Sequence, residues 1–536
     1  MLLVLLSPAP LAAGEAAVAS AHPLATAAGE EMLARGGNAF DAAVAVSAAL
    51  AVVEPYASGI GGGGFWLIHR AADGFETMID GREAAPGQAT RDMYLDASGK
   101  PVPGASLRGP LAAAIPGAPA ALAQLARHGR LPLAVTLAPA IRHAREGFAV
   151  DARYARMAED FGDRLDPRAA AVFLDAGRPP QPGFVLKQPQ LAITLERLAR
   201  QGAAGFYRGP VAAEMVRAVR AGGGIWRLSD LAAYRSKQRE PVRVYYGGAR
   251  ITAAALPSSG GVVLAQALNM LRLRPGEAAA DPHRVVESLR RAYRDRACLL
   301  GDPDFVHVPV SRLTSLRHAA GQAAGMDPER ATPSAALPGC DAVPGGPSTT
   351  HFSVVDAQGN RVAATLSVNT PFGSGFLASD TGVLLNNEMD DFAIAPGVPN
   401  AYGLVGSEAN AIAPGKRPLS SMTPAFVEDP RGVLVLGTPG GSRIISMVLL
   451  AVLDHLHGPG PDPRRSVSAP RYHHQYLPDV VEVEPEGFDP QWIQALEGKG
   501  HKVRPARRAW GNMQAVYVDG LTGRAVAASD PRGAWY

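Results

Sequence analysis

The chain has 536 residues, of which 47% are hydrophobic and 19% charged, and its 52 Lys and Arg against 49 Asp and Glu give a formal net charge of +3. This length and apolar content exclude an intrinsically disordered chain and suit one large domain or two to three ordinary ones. Charges of both signs are mixed along the sequence, so neither nucleic acid nor an anionic membrane is indicated as a partner.

The N-terminal segment, residues 1–16, starts with a short apolar run, MLLVLL, and continues into an Ala-rich stretch that suits a signal peptidase. It lacks a basic n-region, so we interpret it as a truncated export signal. The most apolar internal stretch, Ala42 to Val53, is shorter than the ~20 residues that cross a bilayer, and no membrane span is expected. Cys298 and Cys340 form one disulfide or none.

Helices dominate the elements predicted before residue 331. The patterns predict two helices over 24–53 with a turn at 36–38, a glycine turn entering a strand over 59–69, alternating helices over 113–235, strands within 241–256 and a helix over 282–300. Residues 331–348 are rich in Ala, Pro, Gly and Ser without periodicity, which indicates a linker or a processed segment.

Short alternating strands dominate the remainder of the chain. They are predicted at 351–356, 361–368, 382–387, 425–429, 432–438, 479–485 and 513–519, with helices at 443–458 and 490–500. Strands packed between helical layers fit this order of elements.

Three motifs that could carry chemistry lack essential parts. GIGGGG (59–64) is not followed by the Lys-Ser/Thr of a phosphate loop, and no strand precedes it as a dinucleotide site requires. PSSGG (257–261) lacks the spacing of a nucleophile elbow. The adjacent His473 and His474 do not have the i, i+4 spacing of a helical zinc site.

Thr349 and Thr350 stand where the segment 331–348 meets a predicted strand. If the chain were cut before Thr349, that residue would carry both a hydroxyl and a free α-amine with a pKa near 7.7–8.0, which could act as nucleophile and base. The alternative is that both threonines simply begin a strand.

Other parts of an acyl-transfer site follow downstream, each with a plain structural alternative. Gly440 and Gly441 lie between a predicted strand and a helix, where backbone N–H groups favour an oxyanion, or they form an ordinary glycine turn. NNEMDDF (386–392) could hold an ammonium group or be a solvated turn. RPLSSM (417–422) could bind a carboxylate or be an ST-turn.

These segments together resemble the γ-glutamyltransferases (γ-glutamyltranspeptidases) of the N-terminal nucleophile hydrolase superfamily. The resemblance rests on STTHFSVVD, NNEMDDF, KRPLSSMTP and GTPGGSRII in this order, and on HPLATAAGEEMLARGGNAFDAAVA, DGREAAPGQATRDMYLD, PSSGG and LGDPDFV before them. It covers the chain from about residue 17 to the C-terminus.

The resemblance implies a four-layer αββα sandwich made as one precursor that cleaves itself between Ser348 and Thr349. Residues 17–348 would form the large subunit and 349–536 the small catalytic subunit, interleaved in a heterodimer. The implied partners are glutathione and other γ-glutamyl compounds as donors, and water, amino acids or dipeptides as acceptors, without a metal or organic cofactor. The family's habit favours a periplasmic or secreted protein.

The resemblance also implies the role of each matching residue. Thr349 would be the nucleophile, supported by Ser367, while Gly440 and Gly441 would form the oxyanion hole. The residues implied to bind substrate are Arg82, Ser420 and Ser421 at the α-carboxylate, Asn369, Glu388 and Asp391 around the α-amine, and Tyr402 in a lid loop over the site.

Two departures from the family pattern concern strand residues: Ser367 stands where a threonine is frequent, and Leu366 where an aromatic residue is frequent. Two other functions are weighed against the γ-glutamyltransferase hypothesis. An acylase for glutaryl-cephalosporins shares the fold but needs no group for an α-amine. A non-catalytic binding protein would lack the nucleophile or the glycines, and none is missing.

Overall fold

The computed structural model describes residues 14–273, 281–338, 349–394 and 406–534. The strands within these residues are β1 Ala17–Ser20, β2 Gly63–Arg70, β3 Phe75–Gly81, β4 Phe148–Ala149, β5 Val185–Leu186, β6 Lys237–Arg239, β7 Val242–Tyr246, β8 Ala249–Ala253, β9 Thr350–Val355, β10 Arg361–Ser367, β11 Ala425–Asp429, β12 Gly432–Gly437, β13 Tyr472–His473, β14 Val481–Val483, β15 Val503–Pro505, β16 Gln514–Asp519 and β17 Ala525–Ser529.

Helices alternate with these strands along the chain. They are α1 Pro23–Ala34, α2 Ala39–Val53, α3 Ala118–Leu125, α4 Leu133–Thr136, α5 Ala138–Glu146, α6 Ala152–Phe161, α7 Pro167–Phe173, α8 Pro189–Gln201, α9 Ala204–Tyr207, α10 Gly209–Ala221, α11 Leu228–Ala233, α12 Gly260–Arg272, α13 Pro282–Leu299, α14 Val310–Leu313, α15 Leu316–Ala324, α16 Ile444–His457, α17 Pro463–Ser468 and α18 Pro490–Gly498.

Two six-stranded antiparallel sheets form the centre of the molecule. The first sheet has the order β1-β9-β10-β2-β3-β6, and the second has the order β17-β16-β12-β11-β8-β7. Each sheet combines strands from before residue 331 with strands from after residue 348, so the two parts of the chain are interleaved. The change of texture near residue 348 is therefore not a boundary between two separate folding units.

Alternate side chains of β2 point to opposite faces of the first sheet and pack in two different cores. Trp66 and Ile68 of β2 pack on one face with Leu50 of α2, in a core that also contains residues of α3, α5 and α8. Phe65 and Leu67 point to the other face and share a core with strands of the second sheet. Helices α12, α13 and α16 join this second core from the far side of the second sheet. The result is the predicted αββα sandwich.

Helix α2 lies in the middle of the first core, and all of its residues are buried. A helix that is apolar all round needs such a position. Its start is fixed by a capping box, in which Asn38 accepts hydrogen bonds from the first turn and Asp41 accepts one from the backbone N–H of Asn38. The predicted pair of helices with a turn at 36–38 is confirmed.

Most of the predicted strands and helices are present, but the strand predicted over 382–387 is wrong. Its apolar residues are buried, yet it makes only an isolated bridge from Leu384 to Leu377. The Asn386 side chain instead bonds the backbone of Gly61 and Ala114, which fixes an irregular segment beside the site. The strands that were not predicted are β1, β3, β4, β5, β6, β13, β15 and β17.

The described end of the segment 331–348 packs on the body of the protein. Ser334 is buried, and its backbone N–H donates to Asp479 at 2.7 Å. Cys298, the described cysteine, is in a disulfide. Among the described residues, no helix is both long and apolar enough to cross a bilayer.

Candidate active site

The residues singled out from the sequence meet at one small cavity between the two sheets. It is lined by Thr349, Ser367, Asn369, Glu388, Asp391, Ser420, Ser421, Met422, Gly441, Ser442 and Ile444. Its volume is about 20 Å³, which is room for about one water molecule. The structure thus brings together eight of the predicted residues from five separate segments of the chain.

Thr349 lies directly before β9 and is almost fully buried, with 5% of its surface exposed. Its Oγ1 is 3.5 Å from the Oγ of Ser367 at the end of β10. That oxygen of Ser367 also accepts a hydrogen bond of 2.7 Å from the backbone N–H of Asn369. Ser367 therefore has a hydroxyl hydrogen that can be directed at Thr349, which is the support expected of this position.

Asn369 has a left-handed backbone, with φ +77°, directly after β10. Asparagine tolerates this region better than most residues. Its Nδ2 donates to the carbonyl of Asn387 at 2.9 Å, which ties the end of β10 to the segment that carries Glu388 and Asp391.

Thr350 is the first residue of β9, and its hydroxyl donates to Glu54 at 2.8 Å. The carboxylate of Glu54 also accepts from Tyr56 at 3.0 Å and from Arg153 at 3.1 Å. Glu54 is fully buried at the end of α2. These bonds fix the strand start and hence the position of Thr349 one residue earlier.

Arg82 forms the centre of a buried charge cluster next to the cavity. Its Nη1 donates to Glu388, its Nη2 to Asp391 at 2.5 Å, and its Nε to the carbonyl of Pro418 at 3.1 Å. Arg82 is 0% exposed. Burial opposes its charge, but the carboxylates of Glu388 and Asp391 raise the pKa of Arg82 above its ordinary value.

Glu83 adds a further carboxylate to this cluster, which the sequence analysis missed. It is fully buried, and its Oε2 lies 3.7 Å from Nη1 of Arg82. Neither carboxylate oxygen has a hydrogen-bond partner among the described residues. Burial raises the pKa of Glu83 to about 7, against the pull of Arg82.

Glu388 is buried in the same surroundings as Glu83. Burial raises the pKa of Glu388 well above its ordinary value, and the neighbouring carboxylates of Glu83 and Asp391 add to this while Arg82 opposes it. Arg82 thus faces three carboxylates, of which those of Glu83 and Glu388 are buried. A further positive charge placed beside this cluster would be attracted by it.

Ser420 and Ser421 lie on the other side of the cavity and rest on the PSSGG segment. The backbone N–H of Ser420 donates to the carbonyl of Pro257 at 2.8 Å, and its carbonyl accepts from both the N–H and the hydroxyl of Ser259. PSSGG, which has no nucleophile spacing, thus acts as the support of the serine pair.

Gly440 and Gly441 occupy the expected turn between β12 and α16. Their φ angles are +144° and +57°, in the region that favours glycine. A Cβ on Gly440 would lie 2.4 Å from Cε of Met447. The Met447 methyl can move aside, so it is the positive φ angles that disfavour side chains at these two positions.

Two predicted site residues, Ser348 and Tyr402, lie outside the described residues. The structure adds Glu54, Glu83 and Arg296 to the neighbourhood of the site. Glu83 is adjacent to Arg82 in DGREAAP, and its presence next to a predicted site arginine is the one sequence feature that points to it.

A larger cavity of about 440 Å³ lies elsewhere, among α3, α9 and α11, and contains none of the predicted site residues. Its wall includes Tyr234, whose hydroxyl donates to the backbone carbonyl of Arg82 at 2.6 Å. Tyr234 thus connects this cavity to the backbone of Arg82.

Comparison with known proteins identifies the family of the chain. Residues 25–535 match the family model described as gamma-glutamyltranspeptidase. The glutathione hydrolase proenzyme of Escherichia coli K12 is 43% identical over 534 residues, covering 98% of this chain and 91% of the relative.

Two solved structures bear on the fold. The cephalosporin acylase of Bacillus halodurans superposes with a TM-score of 0.82 at 28% identity, covering 99% of this chain and 98% of that one. The γ-glutamyltranspeptidase of Helicobacter pylori superposes with a TM-score of 0.58 at 38% identity, covering 59% of this chain and 93% of that one. The match over nearly the whole sequence and the site geometry lead to one conclusion: the chain belongs to the γ-glutamyltranspeptidase family.

Proposed function

We propose that this protein is a self-processing γ-glutamyltransferase and glutathione hydrolase. The observation that carries the proposal is the single cavity in which the hydroxyl of Thr349, the cluster of Arg82 with its carboxylates, the serine pair and Gly441 converge. A nucleophile, a place for both charges of an amino acid and an oxyanion site are the parts that γ-glutamyl transfer requires.

Processing is the first reaction. The Thr349 hydroxyl attacks the carbonyl carbon of Ser348, the peptide C–N bond breaks as an ester forms, and the nitrogen keeps its own proton and gains the hydroxyl proton to become the new α-amine. Water then hydrolyses the ester and releases the Ser348 carboxylate. Residues 17–348 and 349–536 would be the large and small subunits. A cavity of about 20 Å³ is too small for a γ-glutamyl group, so we expect cleavage to open it.

Turnover uses the same hydroxyl. The α-amine of Thr349, with a pKa near 7.7–8.0, accepts the hydroxyl proton as Oγ1 attacks the γ-carbonyl carbon of the donor. The N–H groups of Gly440 and Gly441 stabilise the oxyanion, the amide bond between Cδ of the glutamyl group and the leaving nitrogen breaks, and the leaving amine takes the proton. Water or the amine of an amino acid or dipeptide then attacks the ester and restores Thr349.

Specificity follows from the charges of the site. The α-amine of the donor would meet Asp391 and Glu388, whose Oε2 has no partner among the described residues. The α-carboxylate would meet Arg82 and the hydroxyls of Ser420 and Ser421. A donor that lacks either charge leaves buried groups unpaired, which is a strong basis for rejection.

A glutaryl-cephalosporin acylase is the second candidate, favoured by the superposition on the Bacillus halodurans enzyme. A glutaryl group has the carboxylate but no α-amine, so it brings no second cation to the carboxylates that share Arg82. This argues for the γ-glutamyl donor. For location we propose export to the periplasm or the medium, on the basis of the family's habit together with the apolar N-terminal segment.

The proposal is tested by expressing the chain, sequencing the N-terminus of the smaller product, and assaying γ-glutamyl-p-nitroanilide beside glutaryl-p-nitroanilide. We expect a small chain starting at Thr349 and faster turnover of the γ-glutamyl substrate. Thr349→Ala should stay whole and inactive, while Thr349→Ser should still be cleaved. An uncleaved wild type without turnover contradicts the proposal, and turnover of the glutaryl substrate alone assigns the acylase function.

A further inference from the structure

Arg296 of α13 contacts the serine pair through its guanidinium group. Its Nη2 donates to the Oγ of Ser421 at 3.1 Å, and its Nε donates to the Oγ of Ser259 at 2.9 Å. Arg296 is 3% exposed. Ser421 lines the cavity and Arg296 does not, so the guanidinium stands directly behind the hydroxyl.

The two buried arginines near the cavity differ in how their charges are balanced. Arg82 bonds two carboxylates, Glu388 and Asp391. Among the described residues, no carboxylate lies within 4.0 Å of Arg296, whose side-chain partners are two serine hydroxyls. Burial lowers the pKa of Arg296 to about 10, whereas the carboxylates raise that of Arg82.

A buried cation without a neighbouring anion is costly and is usually compensated by one. Here the hydroxyl that Arg296 contacts, that of Ser421, lines the cavity. Because Nη2 donates to the Ser421 oxygen, the hydroxyl hydrogen is free to point into the cavity. A positive charge behind a hydroxyl makes it a stronger donor to a carboxylate.

We propose that Arg296 is a positioning residue that orients and polarises the Ser421 hydroxyl toward the α-carboxylate of the donor, so that this carboxylate is held between two arginines. The inference rests on the proposed γ-glutamyl function. It requires of that function only that the substrate places a carboxylate in front of Ser421. It gives α13, and the PSSGG segment beneath it, a part in donor recognition.

A second contact from the same helix face supports the placement of α13 at the site. The hydroxyl of Tyr293, one turn before Arg296, donates to the carbonyl of Ser442, directly after Gly441. The helix therefore contacts both the serine pair and the glycine turn. Tyr293→Phe provides a contrast, because it removes a contact that has no connection with the substrate carboxylate.

The test uses the cleaved enzyme and three inhibitors of γ-glutamyl-p-nitroanilide turnover. L-glutamate carries both charges, glutarate lacks the amine, and 4-aminobutyrate lacks the α-carboxylate. For Arg296→Gln we expect the inhibition constants of L-glutamate and glutarate to rise about 10- to 100-fold, the loss typical of a charge-assisted hydrogen bond. The constant of 4-aminobutyrate should change less than about 2-fold.

Matched variants separate this role from a structural one. Arg296→Lys keeps the charge and should recover part of the loss. Arg291→Gln removes another buried arginine of α13, one that pairs with Glu287, and should alter all three constants alike or none. If Arg296→Gln does not fold or is not cleaved, the three inhibition constants are compared with those of the wild type in Arg296→Lys and Ser421→Ala instead.

Equal weakening of all three inhibitors in Arg296→Gln, or a wild type that binds L-glutamate no better than 4-aminobutyrate, overturns the inference. Failure of the proposed function looks different. The wild type would then turn over only glutaryl-p-nitroanilide, and with that reporter substrate the glutarate arm would still decide the role of Arg296.

Discussion

Replacing Glu83 by Gln should stabilise the protein in a pH-dependent way. An unfolded Glu ionises near pH 4.5, whereas burial raises the pKa of Glu83 to about 7 in the folded protein. Between these values the unfolded chain releases the proton first, so the native state loses stability as the pH rises. Gln cannot ionise and escapes this loss.

The size of the effect follows from the two pKa values. The difference of about 2.5 units, at about 1.36 kcal/mol per unit, gives about 3.4 kcal/mol between pH 4.5 and pH 8. Unfolding entropy of about 2.1 cal/mol/K per residue amounts to about 1.1 kcal/mol/K for this chain. The melting temperature of Glu83→Gln relative to wild type should therefore rise by about 3 °C from pH 4.5 to pH 8.

The assay is thermal unfolding of both proteins at one scan rate across this pH range. Glu76→Gln is the matched control, because hydrogen bonding from His69 and the charges of Arg250 and Arg361 outweigh burial and lower the pKa of Glu76 to about 2. The ionised Glu76 carboxylate contributes to the stability of the folded protein above pH 4.5, and this contribution is lost only as the pH falls toward 2. Glu76→Gln should therefore be less stable than the wild type throughout the range from pH 4.5 to pH 8. A Glu83→Gln difference that is constant with pH would refute the reasoning.

Three further substitutions test the supports of the nucleophile. Glu54→Gln weakens the bonds to Thr350 and Arg153 and should cost about 1–3 kcal/mol in urea unfolding, with slower cleavage before Thr349; unchanged stability and cleavage would contradict this. Ser367→Ala removes the hydroxyl 3.5 Å from Thr349 and should lower kcat about 10- to 100-fold with little change in KM, whereas Ser367→Thr should keep kcat within about 3-fold; a loss confined to KM would point to substrate binding instead. Gly440→Ala places a Cβ 2.4 Å from Met447 at φ +144° and should lower kcat about 10²- to 10³-fold by moving the oxyanion donors; kinetics like those of wild type would remove Gly440 from that role.

Local patterns sufficed where the fold depends on neighbours in sequence. The apolar run of α2, the turn at 36–38 before it and the alternating strand β10 are each specified within a few residues, and all were predicted. The segment 382–387 failed because its apolar residues are buried without a partner strand, and because Asn386 bonds the backbone in place of a ladder. No local pattern encodes such a tertiary substitute for strand pairing.

The residues of the candidate site also differ in how far the sequence predicts them. Thr349, Arg82 and the serine pair were identified because the motifs around them resemble a family, not because spacing alone requires their roles. Arg82 and Asp391 are 309 positions apart, and Arg296 and Ser421 are 125 apart. The missed residues, Glu83 and Arg296, depend on such distant partners and on burial, which only the folded chain reveals.

The most direct test of the central claim is to trap the acyl-enzyme. The cleaved protein is mixed with a γ-glutamyl donor, quenched in acid within the first turnover, and digested for mass spectrometry of the N-terminal peptide of the small chain. The account predicts a peptide that begins at Thr349 and carries one γ-glutamyl group on that residue, absent after longer incubation with an acceptor amine. A γ-glutamyl group on another residue, or turnover by a chain that still holds the 348–349 peptide bond, would contradict it.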